Sequence, residues 1–400
     1  MKYLVLIGGG LSDQPIAERD NQTPLQLANT PNLDRLAQTG RAGAYNPLPE
    51  SLPAGPEVSL LGLLGYDPVE YVSGPGHYLA KALKVPVGED EMPLCCDFII
   101  LQSSHNDMIL KDFTADRLSG EDSATLIAAL QESIVSDDVR FHSGGGPSNL
   151  MVMKTDPFPD RLQPPMELVG EGIRKHIPQE KPYRELVHLM NEAQIILHNH
   201  PFNRQRAADS ADAVNSVWFW GNGQSKQLPE FEQHIGEKGA VITASPLFRG
   251  MALAANMHVP EVEGITGFLD TNYEATVEAT LKALETHDIV YTHVGAGEPV
   301  SLQGMIDDKV DAIEDFDEKI VGPLVQHAEL QGNLRVLVTE NHMSSVDLMR
   351  YKKSPVPYVM YPAKASGTAV QGFDEELISD GSAPIASGQE LIRLFINEAG

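Results

Sequence analysis

The sequence predicts an α/β protein, a mainly parallel sheet with helices on both faces, into which a smaller α+β domain is inserted. Three observations predict it. Short β-rich runs ending in glycine or polar turn residues alternate with helical patterns, the rhythm of parallel strands joined by crossover helices. The middle of the chain, from about residue 87 to 179, breaks that rhythm. The 400 residues also exceed the length of about 250 to 300 at which a single core stops growing, so two domains are expected.

The first strand is Lys2-Tyr3-Leu4-Val5-Leu6-Ile7-Gly8. Its apolar stretch is shorter than the roughly 7 to 15 residues of a signal-peptide core. A helix follows with Thr30 as N-cap, Pro31 at the first helical position and Gly40 closing it. In the middle stretch, Phe98 to Gln102 and Leu150 to Met153 read as strands, one helix begins after Ser119, and a proline-rich link runs from Asp156 to Pro165. Further strands are expected at Ala240 to Ser245, Asp288 to Gly295, Leu334 to Asn341 and Pro357 to Tyr361. A helix from about Asp307 to Gln326 carries an apolar stripe of Val310, Ile313, Phe316 or Asp317, Ile320 and Leu324 against an acidic outer face. The expected division is therefore a core domain of 1–86 with 180–400 and an inserted domain of 87–179.

Composition excludes several partners. Lys plus Arg number 29 against 56 Asp plus Glu, a formal charge of -27. A phosphate backbone is bound mainly by Lys and Arg, and the densest basic run is only Arg350 with Lys352-Lys353, so no nucleic-acid partner is expected. No run of about 18 apolar residues is present, so no membrane partner is expected either. The two cysteines, Cys95 and Cys96, are adjacent, which suits neither an ordinary disulfide nor a zinc site. A cytoplasmic protein is the expectation.

Chemistry in an open α/β sheet gathers beyond the carboxyl ends of its strands. After the first strand comes Gly8-Gly9-Gly10-Leu11-Ser12-Asp13, but the third glycine of a dinucleotide fingerprint would fall at Asp13. Asp34, the acid about 20 residues on, lies inside a helix, so the nucleotide reading fails.

A longer set of phrases resembles the cofactor-independent phosphoglycerate mutase family of archaeal type, in the alkaline phosphatase superfamily. They include Thr23-Pro24-Leu25, Ala28-Asn29-Thr30-Pro31-Asn32-Leu33-Asp34-Arg35-Leu36-Ala37 and Leu63-Leu64-Gly65-Tyr66-Asp67-Pro68. Further on come His200-Pro201-Phe202-Asn203-Arg204-Gln205-Arg206, Trp218-Phe219-Trp220-Gly221-Asn222-Gly223, Gly264 to Tyr273 and Pro355-Val356-Pro357. They span nearly the whole chain in the family's order. The resemblance implies an alkaline-phosphatase-like core and, in ordinary members, two Mn²⁺ or Zn²⁺ ions with a serine that carries the phosphoryl group.

Matched residue by residue, the resemblance places the family's first metal-binding Asp at Gly9 and its nucleophilic serine at Pro56. The Asp and His of the next ligand phrase fall on Gly297 and Ser301, the following Asp-His pair on Asn341-His342, and the last histidine on Tyr351. Only His342 keeps its chemistry. Two divalent ions held close together need a cage of carboxylates and imidazoles, and proline has no hydroxyl to accept a phosphoryl group. Three arginines that would clamp substrate match Pro75, Cys95 and Ser148, which leaves Asn203, Arg206 and Arg249 as candidate substrate contacts. Glu57, Glu298, Glu340, Asp13 and His293 lie near the same strand ends, but solvated loop carboxylates and a core histidine are the simpler reading. Ser59 and Ser12 have no adjacent base identifiable in sequence.

The expectation is a non-catalytic family member with no cofactor, acting as a structural, interaction or ligand-binding protein whose partner is an unknown protein or a small anionic ligand. The alternative is a metal-dependent mutase or related phosphotransferase with a rearranged site, which would use Mn or Zn.

Overall fold

The computed structural model describes residues 1–105, 107–362, 371–379 and 382–397. Its strands, in chain order, are β1 (Lys2–Gly8), β2 (Arg41–Tyr45), β3 (Glu91–Ser104), β4 (Asp107–Asp112), β5 (Val139–His142), β6 (Ser148–Lys154) and β7 (Ser216–Trp220). They continue with β8 (Gly239–Thr243), β9 (Ile289–Val294), β10 (Leu334–Glu340), β11 (Met343–Ser345), β12 (Arg350–Lys352) and β13 (Val356–Tyr361). The chain divides into two compact units, Met1–Val72 with Lys226–Gly400, and Ser73–Ser225.

The larger unit has a six-stranded sheet in the order β2-β13-β10-β1-β9-β8. β1, β8, β9 and β10 run parallel, and β13 and β2 join antiparallel at one edge. β1 is central because both its faces are apolar: Leu4, Val5, Leu6 and Ile7 are all fully buried. Each such side chain contributes about 1.5 to 3 kcal/mol. Leu4 and Leu6 share a core with Leu33 and Leu36 of the helix Pro31–Thr39 and with Ile313 and Phe316. On the opposite face, Tyr3 meets Phe395 of the helix Gly388–Asn397 edge-on at 5.6 Å. The α/β class, the mainly parallel sheet and its helices are thus as the sequence predicts. No helix of the described residues is long and apolar enough to cross a membrane.

The smaller unit is an antiparallel sheet in the order β4-β3-β6-β5, with β7 also paired to β3. It has its own core, in which Leu94, Phe98, Leu150 and Met151 meet Leu126 and Leu130 of the helix Gly120–Ser133. Ser119 caps that helix through Asp122 N at 3.1 Å. Cys95 and Cys96 are both buried, and neither is in a disulfide.

The unit extends past the expected 87–179 at both ends. The helix Pro75–Ala82 puts Leu79 and Ala80 into its core, and β7 completes its sheet beside β3. Two local expectations also change. Thr30 makes no side-chain cap; Asp317 caps that helix instead, accepting from Leu33 N at 2.7 Å and Asn32 N at 3.2 Å. The helix expected over 307–326 runs as Ile306–Phe316, a π-helical turn Asp317–Val321, and Gly322–Gln331. Phe316 is the core residue and Asp317 the capping one.

Candidate functional site

The positions at which the resemblance places metal ligands and nucleophile all fall in the larger unit. Gly9 follows β1, Gly297 and Ser301 lie in the helix Gly297–Leu302 after β9, Asn341-His342 follow β10, and Tyr351 is in β12. Pro56 opens the helix Pro56–Leu63. Gly9, Gly297 and Asn341-His342 thus lie just beyond the carboxyl ends of parallel strands, where such sheets hold their ligands.

The structure brings these residues together. Gly9 N donates to Val294 O at 2.8 Å, tying the loop after β1 to the end of β9. Ser301 Oγ donates to Gly297 O at 2.6 Å. Glu298 reaches across: its carboxylate accepts from Tyr351 OH at 2.6 Å and from Asn341 Nδ2 at 3.3 Å. The Tyr351 and His342 rings meet edge to face at 4.4 Å. His342 Nδ1 pairs with Ser59 Oγ at 3.1 Å, on the helix that Pro56 begins.

Backbone crowding decides how much this place can hold. A Cβ on Gly9 would stand 2.9 Å from Gly295 Cα, and one on Gly297 would stand 2.7 Å from the Gly9 carbonyl oxygen. Real Cβ atoms do not approach so closely, so the loops after β1 and β9 touch backbone to backbone. Gly10, at φ +73°, needs glycine's freedom to make that approach.

Burial governs the local electrostatics. The His293 imidazole is pushed down to about 4, chiefly by desolvation, with Glu298 pulling the other way and His342 reinforcing the drop. Desolvation likewise lowers His342. Both are therefore neutral at pH 7. His293 Nδ1 pairs with Thr243 Oγ1 at 3.1 Å, as a core histidine does. Its Nε2, His342 Nε2 and Asn341 Oδ1 are buried without a hydrogen-bond partner.

The other nearby carboxylates serve the fold. Glu340 accepts from the backbone N–H groups of Leu11 and Ser12 at 3.1 and 3.0 Å, and burial pushes it up to about 8. The Lys309 ammonium bonds Asp13 at 2.9 Å, Ser12 O at 3.1 Å and Ser344 O at 2.7 Å. Glu57 is buried and folds back over Gly55. Among the described residues, no group of three or more His, Cys, Asp and Glu is placed to hold a metal ion. A donor set of one carboxylate, an amide, a phenol and two neutral imidazoles does not fit a pair of divalent ions.

The substrate-side candidates are divided between the units. Asn203 and Arg206 belong to the helix Pro201–Ala208 of the smaller unit, and Arg249 to the helix Pro246–Ala254 of the larger. Asn203 turns inward: Nδ2 donates to Leu197 O at 2.8 Å and Val214 O at 2.7 Å, and Oδ1 accepts from Val214 N at 2.8 Å. Both its N–H donors are used. Arg206 donates to Asp212 O at 2.7 Å and pairs with Asp116 at 2.6 Å, while Arg249 pairs with Glu261. Ser148, at an expected arginine position, donates to Asp97 at 2.8 Å, and Trp220 Nε1 donates to the same carboxylate at 2.7 Å. Burial pushes Asp97 up to about 7.

Comparison with known proteins gives the ancestry. A family model described as 2,3-bisphosphoglycerate-independent phosphoglycerate mutase matches residues 37–203. A Geobacter sulfurreducens protein named "Probable 2,3-bisphosphoglycerate-independent phosphoglycerate mutase" is 35% identical over 398 residues, covering 99% of this chain and 100% of that one. The chain belongs to this mutase family. A Methanosarcina mazei member named as the same mutase is 34% identical, again over 99% of this chain and all of its own. Two solved structures share the fold. A Pyrococcus horikoshii protein has TM-score 0.76 at 23% identity, covering 99% of this chain and 96% of that one. The cofactor-independent phosphoglycerate mutase of Thermoplasma acidophilum has TM-score 0.56 at 24% identity, covering both chains fully.

Two features of this phosphoglycerate mutase relative escape a reading of its sequence. Ser59 does have an imidazole beside it, but that base is His342, 283 residues away. Ser59 and His342 are fully buried, and Ser59 Oγ also faces Gly55 O and Pro56 O at 3.5 and 3.4 Å. The bridging of Tyr351 and Asn341 by Glu298 likewise joins three distant segments, and no local pattern announces it.

Proposed function

We propose that this chain is a non-catalytic member of the phosphoglycerate mutase family, a pseudoenzyme that acts as a structural or interaction protein in the cytoplasm. The observation that carries the reading is Pro56: it stands where the resemblance places the serine nucleophile, and a proline side chain offers no oxygen for phosphoryl transfer. The close approach of Gly9 to Gly295 supports it, because the position matched to the first metal-binding carboxylate has no room for a side chain. Function lives in the site, and here the fold is retained while the residues that would carry the chemistry are replaced. The test is conversion of 3-phosphoglycerate to 2-phosphoglycerate by concentrated protein with added Mn²⁺. Turnover above that of an unrelated protein prepared in parallel would end the reading.

Its partner is an unidentified protein or a small anionic ligand, and Arg206 in the smaller unit and Arg249 in the larger are separate candidate cationic contacts. A thermal shift with phosphorylated three-carbon acids supports the ligand, and no shift at millimolar concentration removes it. One fact favours the second reading, a metal-dependent mutase or related phosphotransferase with a rearranged site: relatives matching over the full length carry the mutase name. Stoichiometric Mn or Zn in elemental analysis of the purified protein supports that alternative.

A further inference from the structure

A pair of divalent ions at strand ends does structural as well as chemical work, because it ties together loops that would otherwise have nothing in common. Here the loops after β1, β9 and β10 and the β11–β12 hairpin converge without a donor set for such a pair. Glu298 is placed to do that tying. It projects from the first turn of the helix Gly297–Leu302 and accepts from Tyr351 OH in β12 at 2.6 Å, the length of a charge-assisted bond. Its second oxygen accepts from Asn341 Nδ2 at the end of β10. Behind them His342 packs on Tyr351 and bonds Ser59, which carries the connection into the helix Pro56–Leu63.

We propose that Glu298, Tyr351, Asn341, His342 and Ser59 form a metal-free clasp that joins the strand-end loops by hydrogen bonds and closes this place to divalent cations. The proposal rests on the non-catalytic reading of the same site and deepens it. The geometry is consistent on three counts. The hydrogens of Tyr351 and Asn341 are directed at the carboxylate, one at each oxygen, so a cation approaching Glu298 competes with both donors. Where the resemblance matches carboxylates, Gly9 and Gly297 face backbone atoms under 3 Å from any Cβ. His293 and His342 spend Nδ1 on Thr243 and Ser59, and the two Nε2 atoms left without a partner do not replace the carboxylate cage that a pair of divalent ions needs.

The experiment uses the full chain, stripped with a chelator and then titrated with Mn²⁺ and with Zn²⁺, reading Tm and calorimetric binding. The clasp predicts the same Tm with chelator, without it and with millimolar metal, and no stoichiometric binding heat. A rise in Tm with one equivalent of metal bound overturns it. A double-mutant cycle of Glu298→Gln, Tyr351→Phe and the pair reads the clasp itself: the double variant should lose little more Tm than the worse single one. Additive losses overturn it as well. The isosteric Glu298→Gln, which keeps both neighbours in place, preserves the test should Tyr351→Phe not fold. Bound metal without mutase turnover sinks the clasp and leaves the non-catalytic reading standing. Turnover by the metal-stripped protein does the reverse.

Discussion

The ammonium of Lys309 and the carboxylate of Asp13 meet at 2.9 Å with both side chains withdrawn from solvent. Two backbone carbonyls complete the ammonium's shell, so this is a satisfied internal ion pair. Lys309→Met leaves Asp13 charged and buried, and the expected loss is about 3 to 5 kcal/mol in urea unfolding. Arg19→Ala, which breaks an exposed pair with Asp307, should cost less than about 1 kcal/mol. Similar losses for the two variants would contradict this account.

Asp97 predicts a pH dependence in the smaller unit. Its folded pKa is raised from 3.8 to about 7, so the folded state holds the proton more tightly than the unfolded one. The associated stability is full below about pH 4 and is lost as pH rises through 7, on the order of 4 kcal/mol at most. Both tryptophans of the chain, Trp218 and Trp220, lie in β7, so their fluorescence follows this unit. Asp97→Asn should flatten the difference between urea midpoints at pH 5 and pH 8; an unchanged difference assigns it elsewhere.

Crowding at the strand ends makes a second stability prediction. Gly297→Ala sets a methyl 2.7 Å from the Gly9 carbonyl oxygen, with backbone rather than a flexible side chain as its neighbour. Overpacking of this kind costs about 1 to 3 kcal/mol. Gly9→Asp, which restores the carboxylate the resemblance leads one to expect, should likewise lower Tm and should bring no Mn²⁺ binding by calorimetry. Metal binding by that single variant would show the crevice to be roomier than its backbone allows.

Asn203 and Arg206 should separate in their effects. Asn203→Ala removes three hydrogen bonds to the buried backbone of Leu197 and Val214, a loss of about 2 to 4 kcal/mol in urea unfolding followed by tryptophan fluorescence. Arg206→Ala breaks a pair whose Asp116 partner is largely exposed and should cost no more than about 1 kcal/mol. Equal losses would place the two residues in one role.

What the sequence revealed and what it concealed have physical causes. β1 was legible because Leu4 to Ile7 is apolar at every position, which a strand buried on both faces requires. The Gly120–Ser133 helix was legible because Ser119 caps it locally. Thr30 misled because Asp317, brought in by the tertiary fold, takes the cap that a local rule assigns to Thr30. The smaller unit's edge was misplaced because β7 is a short, wholly buried run with no alternation to mark it. At the candidate site, the replaced positions were visible as residue types. The approach of Gly9 to Gly295, the reach of Glu298 and the Ser59–His342 pair depend on segments that meet only when the sheet has formed.

β1 lies between β9 and β10, with Leu4 opposite Val290 on one side and Val336 on the other. The ribosome makes β1 before the smaller unit, and β9 and β10 after it. During synthesis the residues of the smaller unit are complete, and can bury their own core, long before the first strand finds any partner. Its two unpaired edges and apolar faces are meanwhile what a chaperone or protease would seize. A nascent chain halted short of β10 thus leaves the β10 side of β1 unpaired.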